Sequence, residues 1–190
     1  MDTPFVYDRY VTGKNFIGRK TECNILGNLL EAGEQIVIYE PPKSGKMSVV
    51  QQTLYNMRSA GKQFAVAWVN LFNVRTLEDF LIKFGVAVMK LSASTPEEYA
   101  SIVETYLDDT HFVFDRVRFI NTGEVLSLNW QPDENDIARL MQLPQKLALA
   151  KGIRYVVVLK EFQNLMNADE YETVFKIMET QMKERDRNAP

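Results

Sequence analysis

Residues that could bind a phosphate group lie together in one short segment, residues 40–48, which reads EPPKSGKMS. The spacing follows the pattern G-x-x-x-x-G-K-[ST], in which backbone N–H groups surround phosphates, the lysine meets the β- and γ-phosphates and the hydroxyl binds magnesium. Gly45 and Lys46 match this pattern, whereas Met47 replaces the hydroxyl residue. Glu40 replaces the first glycine and adds a carboxylate near the phosphate position unless its side chain turns away. The segment predicts a phosphate-binding loop with altered chemistry.

A second segment with chemical potential ends an apolar run and reads LKEFQ, residues 159–163. In enzymes that transfer phosphoryl groups from a phosphate loop, an apolar strand often ends in Asp-Glu. The aspartate there helps to hold magnesium, and the glutamate polarises a water molecule. Lys160 occupies the aspartate position and Glu161 the glutamate position. Glu161 is therefore the candidate catalytic residue, and the alternative is an ion pair with Lys160 or Lys46.

The departures from both patterns weaken the binding of the same ion, magnesium. Met47 removes a hydroxyl ligand, and Lys160 places a cation where a carboxylate would help to neutralise magnesium. Ser48 could replace the hydroxyl only if the helix start shifted by one residue, which rotates a side chain by about 100°. Pro41 and Pro42 supply no N–H donors to a phosphate. We predict weakened phosphate binding and no protein-bound metal.

The apolar periodicity around these segments predicts alternating strands and helices. The predicted strands are residues 35–40, 64–70 and 155–159, with a β-hairpin formed by residues 117–121 and 125–129. The predicted helices are residues 21–30, 49–57, 77–91, 96–106, 136–151 and 164–187. Pro144 either kinks or divides the fifth of these helices. A strand, a loop, a helix and a second strand in this order indicate a parallel βαβ unit and an α/β fold.

Composition narrows the class of protein. The chain has 190 residues, of which 46% are hydrophobic, so we expect one domain spanning residues 1–190. Its net charge of -3 gives no electrostatic support for a nucleic-acid or membrane partner. No apolar run approaches the roughly 20 residues of a membrane span. The single cysteine, Cys23, and an N-terminus without a secretory signal predict a cytoplasmic protein. His111 has no cysteine or histidine at ligand spacing, which favours an ordinary loop or packing role over metal coordination.

Three segments together resemble the archaeal-type ATPases, a family in the STAND branch of AAA+ proteins that is also found in bacteria. They are FIGRKTE at residues 16–22, EPPKSGKMS, and VVVLKEFQNL at residues 156–165. The resemblance covers roughly residues 16–188 and implies a three-layer α/β/α P-loop NTPase core with a parallel central sheet. It also implies ATP or ADP as the cofactor. The predicted nucleotide contacts are Arg19, Pro42, Lys43, Ser44, Gly45, Lys46, Met47 and Ser48.

The resemblance also raises a question of length. The sheet of this family usually places its fourth strand between the first and third, and nothing after Lys183 can supply that strand. Either the chain is the N-terminal part of a longer protein, or another segment fills the gap. Unpaired inner strand edges would favour self-association. We expect an ATP-binding domain with weak or absent hydrolysis. The alternatives are a nucleotide-independent scaffold or protein-interaction module, and a nucleic-acid-binding switch.

Overall fold

The computed structural model describes residues 10–168 and 171–184. The chain divides into two units, the first ending at Gln63 and the second beginning at Phe64. The described part of the first unit contains a 3-10 turn at Gly13–Asn15 and two helices, α1 (Lys20–Glu31) and α2 (Lys46–Ser59). Both helices were predicted from the spacing of their apolar residues, and both predictions are confirmed.

Helices α1 and α2 pack against each other through a small, partly polar interface. Cys23 of α1 and Val49 of α2 are both buried. The Thr53 hydroxyl donates to the Val49 carbonyl at 2.8 Å and lies 3.4 Å from the Cys23 carbonyl. Gly27 faces Thr53, and a Cβ on this glycine would lie 3.6 Å from the threonine methyl group. Small side chains therefore bring α1 close to the helix that follows the predicted phosphate loop.

The strand predicted at residues 35–40 is wrong, because this segment belongs to no sheet in the structure. Val37 is 86% exposed and Tyr39 is 95% exposed, so the apolar side chains of the segment are in solvent rather than in a core. A β-branched sequence favours an extended backbone, but a strand also needs a neighbour for its N–H and C=O groups. The predicted βαβ unit, whose first strand was residues 35–40, is therefore not formed.

The second unit combines α-helices with two small sheets and is mixed α/β. Its strands are β1 (Phe64–Asn70), β2 (Phe112–Val113), β3 (Ser127–Leu128) and β4 (Arg154–Lys160). Its helices are α3 (Leu77–Met89), α4 (Pro96–Tyr106), α5 (Arg116–Thr122), α6 (Glu134–Lys151) and α7 (Tyr171–Glu184). Strands β1 and β4 pair in parallel, with Phe64 opposite Arg154 and Asn70 opposite Lys160. Strands β2 and β3 form a short antiparallel ladder. The predictions of β1, β4, α3, α4 and α6 are confirmed.

The core of the second unit forms where α3 and α6 pack with the β1–β4 pair. Phe80 and Val88 of α3 and Leu140 of α6 are fully buried. Gly85 allows the closest approach, because a Cβ at this position would lie 2.5 Å from a methyl group of Leu126 and 3.1 Å from one of Leu140. The contact therefore depends on a residue without a side chain, and it holds α3 against the helix that leads into β4.

The β-hairpin predicted at residues 117–129 is wrong, because its first half is helix α5. Asp115 precedes this helix, and its carboxylate accepts the N–H groups of Val117 at 2.8 Å and Arg118 at 3.1 Å. Gly123 ends the helix with a φ of 74°, a left-handed conformation that suits a helix C-cap. The Thr122-Gly123 pair that resembled a hairpin turn is therefore the end of a helix.

Two predicted helices have different bounds in the structure. Helix α6 runs without interruption through Pro144, so the proline does not divide it. The helix predicted at residues 164–187 is replaced by a 3-10 helix at Phe162–Asn167 followed by α7. Residues 169–170 and 185–187 of that prediction lie outside the described residues. Within the part of the chain that the structure describes, no helix is both long and apolar enough to cross a membrane.

Candidate functional site

The predicted phosphate loop leads directly into helix α2. The Ser44 N–H donates to the Pro41 carbonyl at 3.3 Å, which turns the chain inside the loop. Gly45 has a φ of 87°, a conformation that glycine adopts without a Cβ clash, and its carbonyl accepts the Val49 N–H at 3.1 Å. Helix α2 therefore begins at Lys46, and the first N–H groups of a helix have no partner within it. Such a helix N-terminus is electropositive and attracts anions.

The side chain of Lys46 turns back over the loop that it follows. Its Nζ donates to the carbonyl oxygen of Glu40 at 3.3 Å. The contact joins the first helical residue to the first residue of the loop. The ammonium group is thereby held beside the loop, although a cation at a helix N-terminus is disfavoured by the helix dipole.

Glu40 does not turn away from the loop; its carboxylate binds Arg19. Nη1 of Arg19 lies 3.1 Å from Oε2 of Glu40, and Nη2 contacts Oε1. The same guanidinium donates from Nη1 to the Ser44 carbonyl at 3.1 Å and from Nε to Glu22 Oε1 at 3.1 Å. Arg19 therefore ties the start of α1 to both ends of the turn before α2. We call this network of Arg19, Glu22, Glu40 and Ser44 the Arg19 clamp.

The clamp changes the protonation equilibria of its charged members. Hydrogen bonding to Arg19, then to the Ser44 hydroxyl, lowers the pKa of Glu40 below 4.5, and the charge of Lys46 acts in the same direction. The hydrogen bond to Glu40, followed by that to Glu22, raises the pKa of Arg19 above its usual value. Both groups are therefore charged at neutral pH, and Glu40 is an anion at the loop.

The remaining predicted contact residues take two kinds of position. Pro42, Lys43 and Ser44 are exposed in the loop. Met47 is half-buried, whereas Ser48 is buried and its hydroxyl oxygen accepts the Val11 N–H at 3.2 Å. The Ser48 hydroxyl is thus bonded to the segment before α1.

Glu161, the candidate catalytic residue, lies in the second unit directly after β4. Its carboxylate is exposed and accepts a hydrogen bond from Gln163 Nε2 at 2.8 Å. Nearby, Asn164 Nδ2 donates to the carbonyls of Leu71 at 3.3 Å and Phe72 at 3.1 Å. These bonds connect the segment after β4 to the segment after β1. The carboxyl ends of the two parallel strands are therefore tied together beside Glu161.

Backbone strain coincides with the predicted site residues. Among the described residues, positive φ angles at non-glycine positions occur at Arg19 (53°), Lys43 (63°) and Glu161 (57°). This left-handed conformation costs a residue with a Cβ roughly 1–2 kcal/mol. Strained backbone of this kind clusters at functional sites, where the surrounding structure maintains it. All three residues were singled out from the sequence for nucleotide contact or catalysis.

A cluster that the sequence analysis missed lies at the start of α6. Asp136 is fully buried, and its carboxylate accepts the His111 N–H at 2.7 Å and the Asp133 N–H at 2.8 Å. His111 Nδ1 lies 2.9 Å from Asp136 Oδ2. The Asp133 side chain in turn accepts the Asp136 N–H at 2.9 Å, which completes a capping box. The signal was present as two aspartates three residues apart before an apolar helical run.

His111, Asp133 and Asp136 offer ligand atoms that all lie within 4.8 Å of one another. Each oxygen of the Asp136 carboxylate already accepts a hydrogen bond, so the cluster is accounted for as a helix cap. Burial acts to raise the pKa of Asp136, but the bonds from His111 and Asp133 outweigh it and hold this pKa below 3.8. Hydrogen bonding to Asp136 raises the pKa of His111 above 6.5.

A cavity of about 300 Å³ lies beside α1 and α2 in the first unit. Polar side chains from both helices line it, among them Lys20, Asn24, Gln52 and Asn56. Gln52 links the helix to the preceding turn, because its Oε1 accepts the Gly13 N–H at 2.6 Å. The first unit thus contains a loop with charged groups of both signs and a separate concave polar surface. In comparisons with known proteins, no family model matches the chain, and no curated protein or solved structure is significantly similar to it.

Proposed function

We propose that the first unit binds the phosphates of ATP or ADP at the loop before α2, as part of a cytoplasmic ATPase-like domain of the AAA+/STAND type. The observation that carries this proposal is the position of Lys46. Its ammonium turns back to the Glu40 carbonyl at 3.3 Å and lies beside the loop in a partly buried position. A lysine so placed, beside the open N–H groups of a helix start, suits an anionic ligand.

Backbone strain in the first unit supports the same proposal. Arg19 and Lys43 keep left-handed backbone conformations with φ angles of 53° and 63°. Each is a cation next to or within the loop, and neither position requires a long side chain for packing, because Lys43 is exposed and Arg19 is partly exposed. A glycine would remove the strain at either position. The cationic side chain of Lys43 is therefore better explained by an anionic ligand than by backbone conformation, whereas Arg19 also bonds to Glu40 and Glu22.

The proposed site binds nucleotide weakly and without a requirement for magnesium. Met47 offers no oxygen ligand, and the Ser48 hydroxyl is buried against the Val11 N–H. In the sequence pattern, Lys160 takes the position of the magnesium-holding carboxylate, so we expect hydrolysis to be weak or absent. The parallel pairing of β1 with β4 supports the parallel central sheet of such a domain.

Isothermal titration calorimetry of the full chain with ATP, in EDTA and again in excess magnesium, tests the proposal. We expect similar weak binding in both buffers and its loss in Lys46→Ala. Lys62→Ala is the matched control, because it removes one lysine from the same unit but breaks only an exposed ion pair with Glu31. Absence of heat at high micromolar ATP in the folded wild-type chain would falsify nucleotide binding, and equal loss in both variants would remove Lys46 from the site.

The competing function is a protein-interaction or self-association module on a decayed ATPase fold. One observation favours it: the Arg19 guanidinium already bonds to Glu40 and Glu22, so the largest cation at the loop is occupied by carboxylates of the chain itself. In that case ATP is not bound, and the chain acts through a protein partner or a second copy. Sedimentation at several protein concentrations, with and without ATP, measures self-association directly. A monomer at all concentrations contradicts the self-association form of this alternative.

A further inference from the structure

Glu40 is chemically similar to the ligand proposed for the loop. A carboxylate and a phosphate both accept two parallel hydrogen bonds from a guanidinium group. Glu40 accepts such a pair of contacts from Arg19, and its own backbone carbonyl receives the Lys46 ammonium at 3.3 Å. Glu40 therefore contacts two of the cations at the loop, Arg19 through its carboxylate and Lys46 through its backbone carbonyl.

The Arg19 clamp also determines what a phosphate group meets at the loop. The Glu40 carboxylate is a fixed negative charge at the loop itself, and a second anion close to it is repelled. Arg19 can donate in the plane of its guanidinium to only a few acceptors, and Glu40, Glu22 and Ser44 already use Nε, Nη1 and Nη2. These four contacts leave one of the five N–H groups, on Nη2, so a phosphate can accept two parallel hydrogen bonds from Arg19 only if one of these acceptors leaves.

We propose that Glu40 is a built-in competitor of the nucleotide, which occupies Arg19 in the free protein and must release it before phosphates bind strongly. The inference rests on the proposed function and adds its regulation. Glu40 is the acceptor that leaves, because it is the only carboxylate of the clamp at the loop, whereas Ser44 accepts through its backbone carbonyl and Glu22 lies in the first turn of α1. Its side chain is 25% exposed, so the freed carboxylate can enter solvent without rearrangement of a core.

The Arg19–Glu40 contact defines a closed state of the loop. This state is in equilibrium with an open state in which the contact is broken. The observed affinity for an anion equals the affinity of the open state multiplied by its population. If the clamp is closed in nine of ten molecules, removal of the Glu40 charge strengthens binding about tenfold. The same removal leaves Arg19 bonded to Glu22 and to the Ser44 carbonyl, so the guanidinium stays near the loop.

Calorimetric titration of the full chain with inorganic tripolyphosphate and with ATP, both without magnesium, tests the inference. Glu40→Gln keeps the side-chain shape and removes the charge, and Glu40→Gly restores the glycine of the loop pattern. We expect both variants to bind each ligand about tenfold more tightly than wild type. Glu31→Gln is the matched control, because it removes one negative charge from the same unit at the Lys62 pair, and we expect less than about a twofold change.

Equal gains in Glu40→Gln and Glu31→Gln would reduce the effect to net charge and overturn the inference. Binding by wild type that Lys46→Ala abolishes and Glu40→Gln leaves unchanged overturns it while the proposed function stands. No binding by any folded variant overturns both. A second measurement follows the Arg19 side-chain N–H signals by NMR: they should shift when ATP is added to wild type and already be shifted in Glu40→Gln. Unchanged Arg19 signals in ATP-bound wild type show that the clamp does not open.

Discussion

Replacement of Asp136 by alanine should destabilise the second unit by about 3 kcal/mol. The Asp136 side chain is 0% exposed, and its carboxylate accepts bonds from the His111 N–H at 2.7 Å and the Asp133 N–H at 2.8 Å. The His111 ring adds a third contact at 2.9 Å. Alanine removes both acceptor oxygens and the three contacts they make, so the two backbone donors lose their partner and α6 loses half of its capping box.

The magnitude follows from opposing contributions. A hydrogen bond to a charged acceptor stabilises by about 1.5–3 kcal/mol, and loss of a helix cap costs about 1 kcal/mol. Burial of the carboxylate itself costs several kcal/mol, which the variant recovers, so the net effect is well below the sum of the bonds. About 3 kcal/mol corresponds to a fall in melting temperature of about 6–12 °C for a chain of this size.

Urea denaturation followed by circular dichroism near pH 6 measures this loss. Glu134→Ala is the matched control, because Glu134 is an exposed acidic residue in the same first turn of α6, and we expect a change of about 0.5 kcal/mol or less. Asp136→Asn keeps the shape but turns an NH₂ group toward an N–H donor, so it should recover less than half of the loss. A value for Asp136→Ala within about 0.5 kcal/mol of Glu134→Ala would refute the role assigned to the buried carboxylate.

Two further predictions follow from the same structure. Because the folded pKa of His111 is raised above 6.5, its bond to Asp136 should stabilise fully below pH 6.5 and weaken as pH rises through the raised pKa. The free energy of unfolding of wild type minus that of His111→Asn should therefore be larger at about pH 5.5 than at about pH 9, and a flat difference contradicts this. Asp136 contributes in the opposite sense, since its pKa is below 3.8 and its stabilisation is lost only as pH falls through that lowered value. Glu161→Gly should stabilise by about 0.5–1 kcal/mol, because glycine adopts the φ of 57° without a Cβ penalty. Glu161→Ala keeps the Cβ and should not stabilise, and equal denaturation midpoints for the two variants would count against backbone strain at this position.

The sequence predicted the elements whose formation depends on local pattern. Helices such as α3 and α4 combine an apolar face with a capping threonine, and both signals lie within one stretch of chain. Strands β1 and β4 are apolar runs between breaking residues, and they pair with each other in the structure. The loop before α2 was predicted between a strand and a helix; the helix is confirmed, because glycine at the end of the loop is a local signal, whereas the strand is wrong.

Local pattern was misleading where two structures share one signal. Thr122-Gly123 suits a hairpin turn, yet a glycine with positive φ also ends a helix, and Asp115, eight residues before Gly123, is the N-cap of that helix. Residues 35–40 have the composition of a strand, but strand formation depends on a pairing partner that composition does not specify. These two errors therefore have one cause, which is that the deciding contact lies outside the segment.

The sequence by itself identified the residue types that could carry chemistry at the loop before α2 and after β4, and the tertiary structure decided what these residues contact and which further residues meet. Glu40 was recognisable as a carboxylate in a phosphate loop, but only the fold brings it to Arg19, which is 21 residues earlier in the chain. Asp136 and His111 are 25 residues apart and meet only because α6 begins beside the strand that His111 precedes. Residue type and periodicity are local properties, whereas hydrogen bonds and ion pairs depend on distances that packing sets.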